Sequence, residues 1–216
     1  MTSDAADRRG RFITLEGPEG SGKTTAARHL ASWLRSRDVP TVLTHEPGGT
    51  PLGEEIRRIV LHMRGMSDDL DPRADALLYA AGRAQHVARV IRPALERGEW
   101  VVCARYLDSS LAYQGAGYGN DMTELRRLQE FATFNLRPDL TLLLDVPVEV
   151  GLERTRRRAE WNRFEDTEQT AFFEEVRAAY LRLAADEPDR FRTVDGSGSV
   201  DEADAAIRRL VEPLLG

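Results

Sequence analysis

The chain has 216 residues, enough for one large α/β domain or two small ones. With 41% hydrophobic and 31% charged residues, 17 Gly and 10 Pro, its composition is that of an ordinary globular protein, which excludes collagen-like, low-complexity and disordered chains. A formal net charge of -6 argues against a protein that coats nucleic acid, and a single cysteine, Cys103, excludes an internal disulfide or a Cys-rich zinc site.

A polar lead over 1–11 has no apolar h-region, and no run of about eighteen apolar residues follows. A cytoplasmic protein in a reducing compartment, without a membrane span, is expected. Phe12 to Glu16 reads as a short strand running into glycines, after which Ala27, Leu30, Trp33 and Leu34 repeat at helical spacing. Thr41 to Thr44, Trp100 to Cys103, Leu140 to Val146 and Phe191 to Val194 are further β-rich runs. Helical patterns lie between them at about 53–63, 72–96, 123–134, 148–158, 168–185 and 201–215. Strands alternating with helices predict an α/β fold: a five-stranded parallel sheet buried between helices, with ligands at the carboxyl ends of its strands. No linker divides residues 12–216, so one domain is expected. Gly115 to Gly119 lacks the strand and the downstream acid of a dinucleotide fingerprint and reads as a mobile loop.

The strongest signal is Gly17-Pro18-Glu19-Gly20-Ser21-Gly22-Lys23-Thr24, a G-x-x-x-x-G-K-[ST] motif set between a predicted strand and a predicted helix. Its glycines let successive N–H groups and a helix N-terminus converge on one phosphate. Lys23 adds a mobile positive charge, and Thr24 a hard oxygen ligand for Mg²⁺. Gly17 to Thr24, with Thr25 after them, are therefore expected to bind ATP, and Lys23 to act in catalysis.

Four further segments narrow the field. Glu46-Pro47-Gly48-Gly49-Thr50, Ala104-Arg105-Tyr106, Ser110-Leu111-Ala112-Tyr113-Gln114-Gly115 and the arginine run from Arg154 to Arg163, in that order after the glycine loop, resemble the thymidylate kinase family over about Phe12 to Leu215. The resemblance implies a P-loop NTPase three-layer fold, transfer of the ATP γ-phosphoryl group to thymidine monophosphate with Mg²⁺ bridging the ATP phosphates, and a homodimer. It also assigns substrate-binding roles. Tyr79 would stack on thymine and Arg83 contact the base, while Arg57 and Arg105 clamp the acceptor phosphate. Ser110 and Gln114 would read the thymine edge, and Glu19 would lie near the acceptor sugar. On their own chemistry these residues leave alternatives open, because Tyr79 reads equally as core among Leu77, Leu78 and Ala81, and Arg57 as a solvated position beside Arg58.

Arg154, Arg156, Arg157, Arg158 and Arg163 read as a solvated helix face or as a closing lid over about 154–165 that delivers positive charge to the transferring group. The glycine loop holds no arginine, which matches the subset of the family whose lid carries it. Arg158 is the first candidate and Arg156 the second, with Arg163 holding the lid. Asp145, at the end of the most apolar strand, is either a metal-binding carboxylate or a helix cap, and Asp195-Gly196-Ser197 matches the region lying against adenine. The four histidines, His29, His45, His62 and His86, make no metal-ligand constellation.

The chain departs from the family at Ala104, where an Asp that supports the Mg²⁺ shell and orients the neighbouring arginine is usual. The otherwise intact site chemistry favours removal of that acid over a natural variant that draws on Asp108 or Asp145. Milder departures are His45, where Arg is common, and Asn162, where Asp is common.

Overall fold

A computed structural model describes residues 9–62, 70–157 and 170–215. Five strands, β1 (Phe12–Glu16), β2 (Thr41–His45), β3 (Trp100–Ala104), β4 (Leu140–Asp145) and β5 (Phe191–Asp195), form one sheet in the order β2-β3-β1-β4-β5, every pair parallel. The central strand β1 is buried at every position, as a strand covered on both faces must be.

Strand alternation sorts the apolar residues into two layers. Ile13, Leu15, Val102, Ala104, Leu142, Leu144 and Val194 pack with α1 (Lys23–Arg35) and α9 (Val200–Val211). Phe12, Val101, Cys103, Leu143 and Phe191 face the other way, towards α3 (Pro72–His86) and α8 (Thr170–Asp186). The remaining helices are α2 (Pro51–His62), α4 (Arg92–Glu96), α5 (Leu107–Ser110), α6 (Met122–Thr133) and α7 (Val148–Arg157).

Helix boundaries follow local chemistry. Asp71 caps α3, its carboxylate accepting from the Arg73 N–H at 2.8 Å, and Ser199 and Glu202 form a reciprocal capping box at α9. The helix expected over 72–96 is continuous in space but passes through a π-helical stretch, Val87–Ile91, just before Pro93. Proline lacks the N–H that a regular helix would use there, and the wider turn accommodates it.

The expected mobile loop at Gly115 to Gly119 is instead largely helical, because α5 continues as a π-helix over Leu111–Gly117. Gly115 and Gly117 serve close approach, while Gly119 supplies a left-handed turn at φ 71°. A Cβ on Gly115 would lie 2.4 Å from Met122 Sδ, and one on Gly117 would lie 2.6 Å from the Phe172 ring. The fold thus sets the carboxyl ends of β1, β3 and β4 side by side, with the glycine loop, α5 and α7 rising from them.

Candidate active site

The glycine loop joins β1 to α1 as the motif predicts. Gly22, at φ 91°, is the N-cap of α1, and neither a side-chain cap nor an acid in the first turn competes for the helix amides. That leaves a positive helix end suited to an anion. Lys23 Nζ donates to Pro18 O at 2.6 Å and to Ser21 Oγ at 3.1 Å, which holds it against the loop. Thr24 is exposed and Thr25 half-buried on the first turn. A Cβ on Gly20 would lie 2.0 Å from Gly151 O, so the loop backbone packs directly on α7. From that helix Arg154 donates to the carbonyls of Gly196, Ser197 and Gly198, fixing the segment after β5 beside the loop. Arg156 and Arg157 are exposed on the last turn of α7. Arg158, Asn162 and Arg163, with the rest of the expected lid, lie outside the described residues.

Next to the loop, a cleft is lined by Glu19, Glu46, Arg57, Tyr79, Arg105 and Gln114, along with Ser109 and Tyr113. Arg105 is the link between loop and cleft. Its Nη2 donates to Glu19 Oε2 at 2.6 Å, and its guanidinium lies 4.9 Å from the centre of the Tyr113 ring. Its backbone is left-handed, φ 69°, an uncommon state for a non-glycine residue. Arg57 Nη1 donates to Pro47 O at 3.1 Å from across the cleft. Gln114 Nε2 donates to Asp75 Oδ2 at 3.0 Å. That bond commits the amide nitrogen to Asp75.

Two expected substrate residues sit behind the cleft rather than on its wall. Arg83 is 1% exposed, and its donors reach Glu46 at 2.7 Å, Ser110 Oγ at 3.0 Å, Tyr106 O at 3.0 Å and Gln129 Oε1. Ser110, also 1% exposed, is a partner in that cluster. Glu46 receives His86 Nδ1 on its other oxygen at 3.0 Å, and His86 Nε2 meets Thr44 Oγ1 at 2.7 Å. Burial alone would raise the Glu46 carboxyl, but Arg83 and His86 hold it below the usual carboxylate range. The sequence named Glu46 only within its segment and His86 only among the histidines, with no role for either. The available signal was His86 three residues beyond Arg83, on the same helix face.

The region of position 104 is apolar on the α1 side. Ala104 is 5% exposed and its carbonyl accepts from the Glu46 N–H at 2.9 Å. The carboxylates offered as substitutes are both engaged. Asp108, fully buried, receives Arg190 on both oxygens at 2.7 and 2.9 Å, and Asp145 receives Arg177 on both at 2.7 and 2.9 Å. His45 pairs with Glu54 at 3.3 Å, and burial, opposed by Glu54, lowers its imidazole below the usual value.

A further carboxylate, Glu16, closes β1 directly behind Arg105. It is fully buried, and burial first and Asp108 second push its carboxyl up to about 7. No group of three or more His, Cys, Asp or Glu residues among those described is arranged to hold a metal ion. The exposed Thr24 hydroxyl on the first turn of α1 is of the type that could serve as one oxygen ligand to a magnesium ion brought in with a nucleotide.

The family model described as thymidylate kinase matches residues 15–207. The chain is 55% identical over 207 residues to the thymidylate kinase of Leifsonia xyli subsp. xyli, with 94% of each covered. It is 49% identical over 208 residues to that of Pseudomonas syringae pv. tomato, with 95% of this chain and 97% of the relative covered. The crystal structure of thymidylate kinase from Ehrlichia chaffeensis matches with a TM-score of 0.74 and 30% identity, covering 94% of this chain and 99% of that one. The chain belongs to the thymidylate kinase family, and its reaction is transfer of a phosphoryl group from ATP to thymidine monophosphate.

Proposed function

We propose that the glycine loop is the ATP site, that the cleft is the thymidine monophosphate site, and that Arg105 and Arg57 clamp the acceptor phosphate between them. The observation that carries this reading is the 2.6 Å pair between Glu19 of the loop and Arg105 of the cleft, which makes the two sites adjoin. The acceptor is itself a phosphate oxyanion, so the step needs no general base. An acceptor oxygen forms a bond to the γ-phosphorus while the bond to the β-bridging oxygen breaks and ADP leaves. The chain's own work is positioning and charge compensation. Guanidinium forks suit it because they bind phosphate oxygens in pairs.

The loop N–H groups and Lys23 hold the ATP phosphates. Mg²⁺, carried by Thr24 and the phosphates, would neutralise charge developing between them. Arg158 and Arg156 are read as the lid arginines. Tyr79 is read as the stacking surface for thymine, with Gln114 reading the base edge. Arg83 and Ser110 support the base site from behind through Glu46 and Tyr106. Ala104 contributes no charge to the metal shell, and this lowers the rate.

The partner reading is a homodimer. Its support is a set of exposed apolar side chains on α3, on α2 and α6, which both pack against it, and just beyond: Leu52, Ile59, Leu77, Phe131 and Phe134. No helix among the described residues is long and apolar enough to cross a membrane.

The deciding experiment compares phosphorylation of thymidine, deoxyuridine, guanosine and adenosine monophosphates side by side. One methyl group in an apolar pocket is worth about 1–3 kcal/mol, so thymidine should exceed deoxyuridine monophosphate roughly 10- to 200-fold in kcat/KM. Equal values would refute the assignment of the cleft to thymine.

A further inference from the structure

Arg105 is held from behind as well as in front. The Glu16 carboxylate accepts the Tyr106 N–H on Oε1 at 2.7 Å, and on Oε2 the Ser109 hydroxyl at 2.6 Å and the Tyr180 hydroxyl at 3.0 Å. Ser109 lines the cleft, and its Oγ accepts Arg105 Nη1 at 3.3 Å. Ser109 has one hydroxyl proton; spent on Glu16, it leaves the oxygen lone pairs for Arg105. The Tyr106 N–H bond pins the peptide that follows the left-handed Arg105 backbone. Tyr106 N–H can only donate to Glu16, whereas the Ser109 and Tyr180 hydroxyls, themselves 2.8 Å apart, donate to the ionised carboxylate and can turn to accept from the protonated one.

We propose that Glu16 and Ser109 are positioning residues for acceptor binding: Glu16 fixes the Tyr106 backbone and, through the Ser109 hydroxyl, steadies the Arg105 guanidinium. This rests on the reading of Arg105 as the acceptor-phosphate clamp. The groups facing Glu16 are Asp108 from α5, Arg105, Tyr180 from α8 and Cys103 from β3, with Asp108 held in turn by Arg190. Among them Asp108 opposes ionisation of Glu16 and Arg105 favours it. As pH falls through the neutral range the carboxyl gains a proton, the Ser109 hydrogen turns away from Glu16, and Arg105 keeps Glu19 in front but loses the balancing charge and the fixed Ser109 acceptor behind it.

The test is steady-state kinetics on Glu16→Gln, Ser109→Ala, Ser109→Thr and Arg105→Ala. Outer hydrogen-bond partners of metal ligands typically matter by roughly 10- to 100-fold, so by analogy Glu16→Gln and Ser109→Ala should raise KM for thymidine monophosphate about tenfold. KM for ATP should change less than about twofold, and Ser109→Thr, which restores the hydroxyl, should recover most of the loss. The ratio of wild-type to Glu16→Gln kcat/KM for thymidine monophosphate should rise between about pH 6 and pH 8. The acceptor phosphate also titrates near pH 6, but it does so for both proteins and cancels in that ratio. If Arg105→Ala raises KM for thymidine monophosphate while Glu16→Gln and Ser109→Ala leave it unchanged and the ratio is flat, the positioning role is refuted and the clamp stands. If Arg105→Ala itself has no effect, the clamp reading falls first. Equal rises in both KM values would also refute the proposal, since they mark general damage. Should Glu16→Gln fail to fold, Ser109→Ala and Ser109→Thr decide by the same readouts.

Discussion

Arg105 combines a strained backbone with a functional side chain, and replacing it separates the two. A left-handed φ of 69° costs a non-glycine residue about 1–2 kcal/mol, a cost glycine does not carry. Glycine in turn loses about 0.5–1 kcal/mol more backbone entropy than alanine on folding. The Glu19 pair, with side chains 18% and 23% exposed, is worth about 1 kcal/mol, and the Tyr113 ring contact about 0.5–1 kcal/mol. Both variants lose those contacts equally, so only the backbone distinguishes them. The difference, about 0.5–1 kcal/mol in favour of glycine, corresponds to a melting temperature roughly 1–4 °C higher for Arg105→Gly than for Arg105→Ala in a chain of this size. Both should lose about 30-fold or more in kcat/KM for thymidine monophosphate, because truncating one partner of a desolvated charge pair costs about 2–5 kcal/mol. ATP affinity by titration calorimetry should hold. If alanine melts at or above glycine, the position stores no strain. If kcat/KM for the acceptor survives in both, Arg105 does not hold the phosphate.

The other predictions follow from burial and charge. Ala104→Asp places a carboxyl at a site 5% exposed, so without nucleotide and metal it should destabilise by about 1–3 kcal/mol, while kcat with Mg²⁺-ATP rises about 10- to 100-fold; an unchanged kcat would show that position 104 takes no part. Arg158→Ala should lower kcat by about 1,000-fold or more with ATP affinity retained, and a change confined to KM would make Arg158 a binding residue only. Glu16 bears on stability as well. Its folded carboxyl is raised from 4.5 to about 7, so its contribution is fully present below pH 4.5 and is lost as pH rises through 7, on the order of 3 kcal/mol. Glu16→Gln should therefore gain in melting temperature relative to wild type between pH 5 and pH 8, and a constant difference would contradict the raised value.

What the sequence by itself determined was local in character. Short β-rich runs and helical spacing located all five strands and the flanking helices other than Leu107–Gly117 to within a few residues, and the glycine motif between β1 and α1 was legible because its chemistry lies in consecutive residues. The resemblance of whole segments carried the family. The strand order could not be read, since it depends on which side of β1 each crossover falls. The Gly115 region misled because glycine signals both freedom and close approach, and only the neighbouring Met122 and Phe172 distinguish them. Arg83 shows the same limit. Its helix position suggested a surface facing the base, yet Glu46 of the β2–α2 connection, Gln129 of α6 and the Tyr106 carbonyl enclose it. Glu16 and Tyr180, 164 residues apart, carry no shared sequence pattern at all. Their contact exists because the parallel crossovers bring α8 over the carboxyl end of β1, where burial turns an ordinary strand-terminal glutamate into a group that titrates near neutrality.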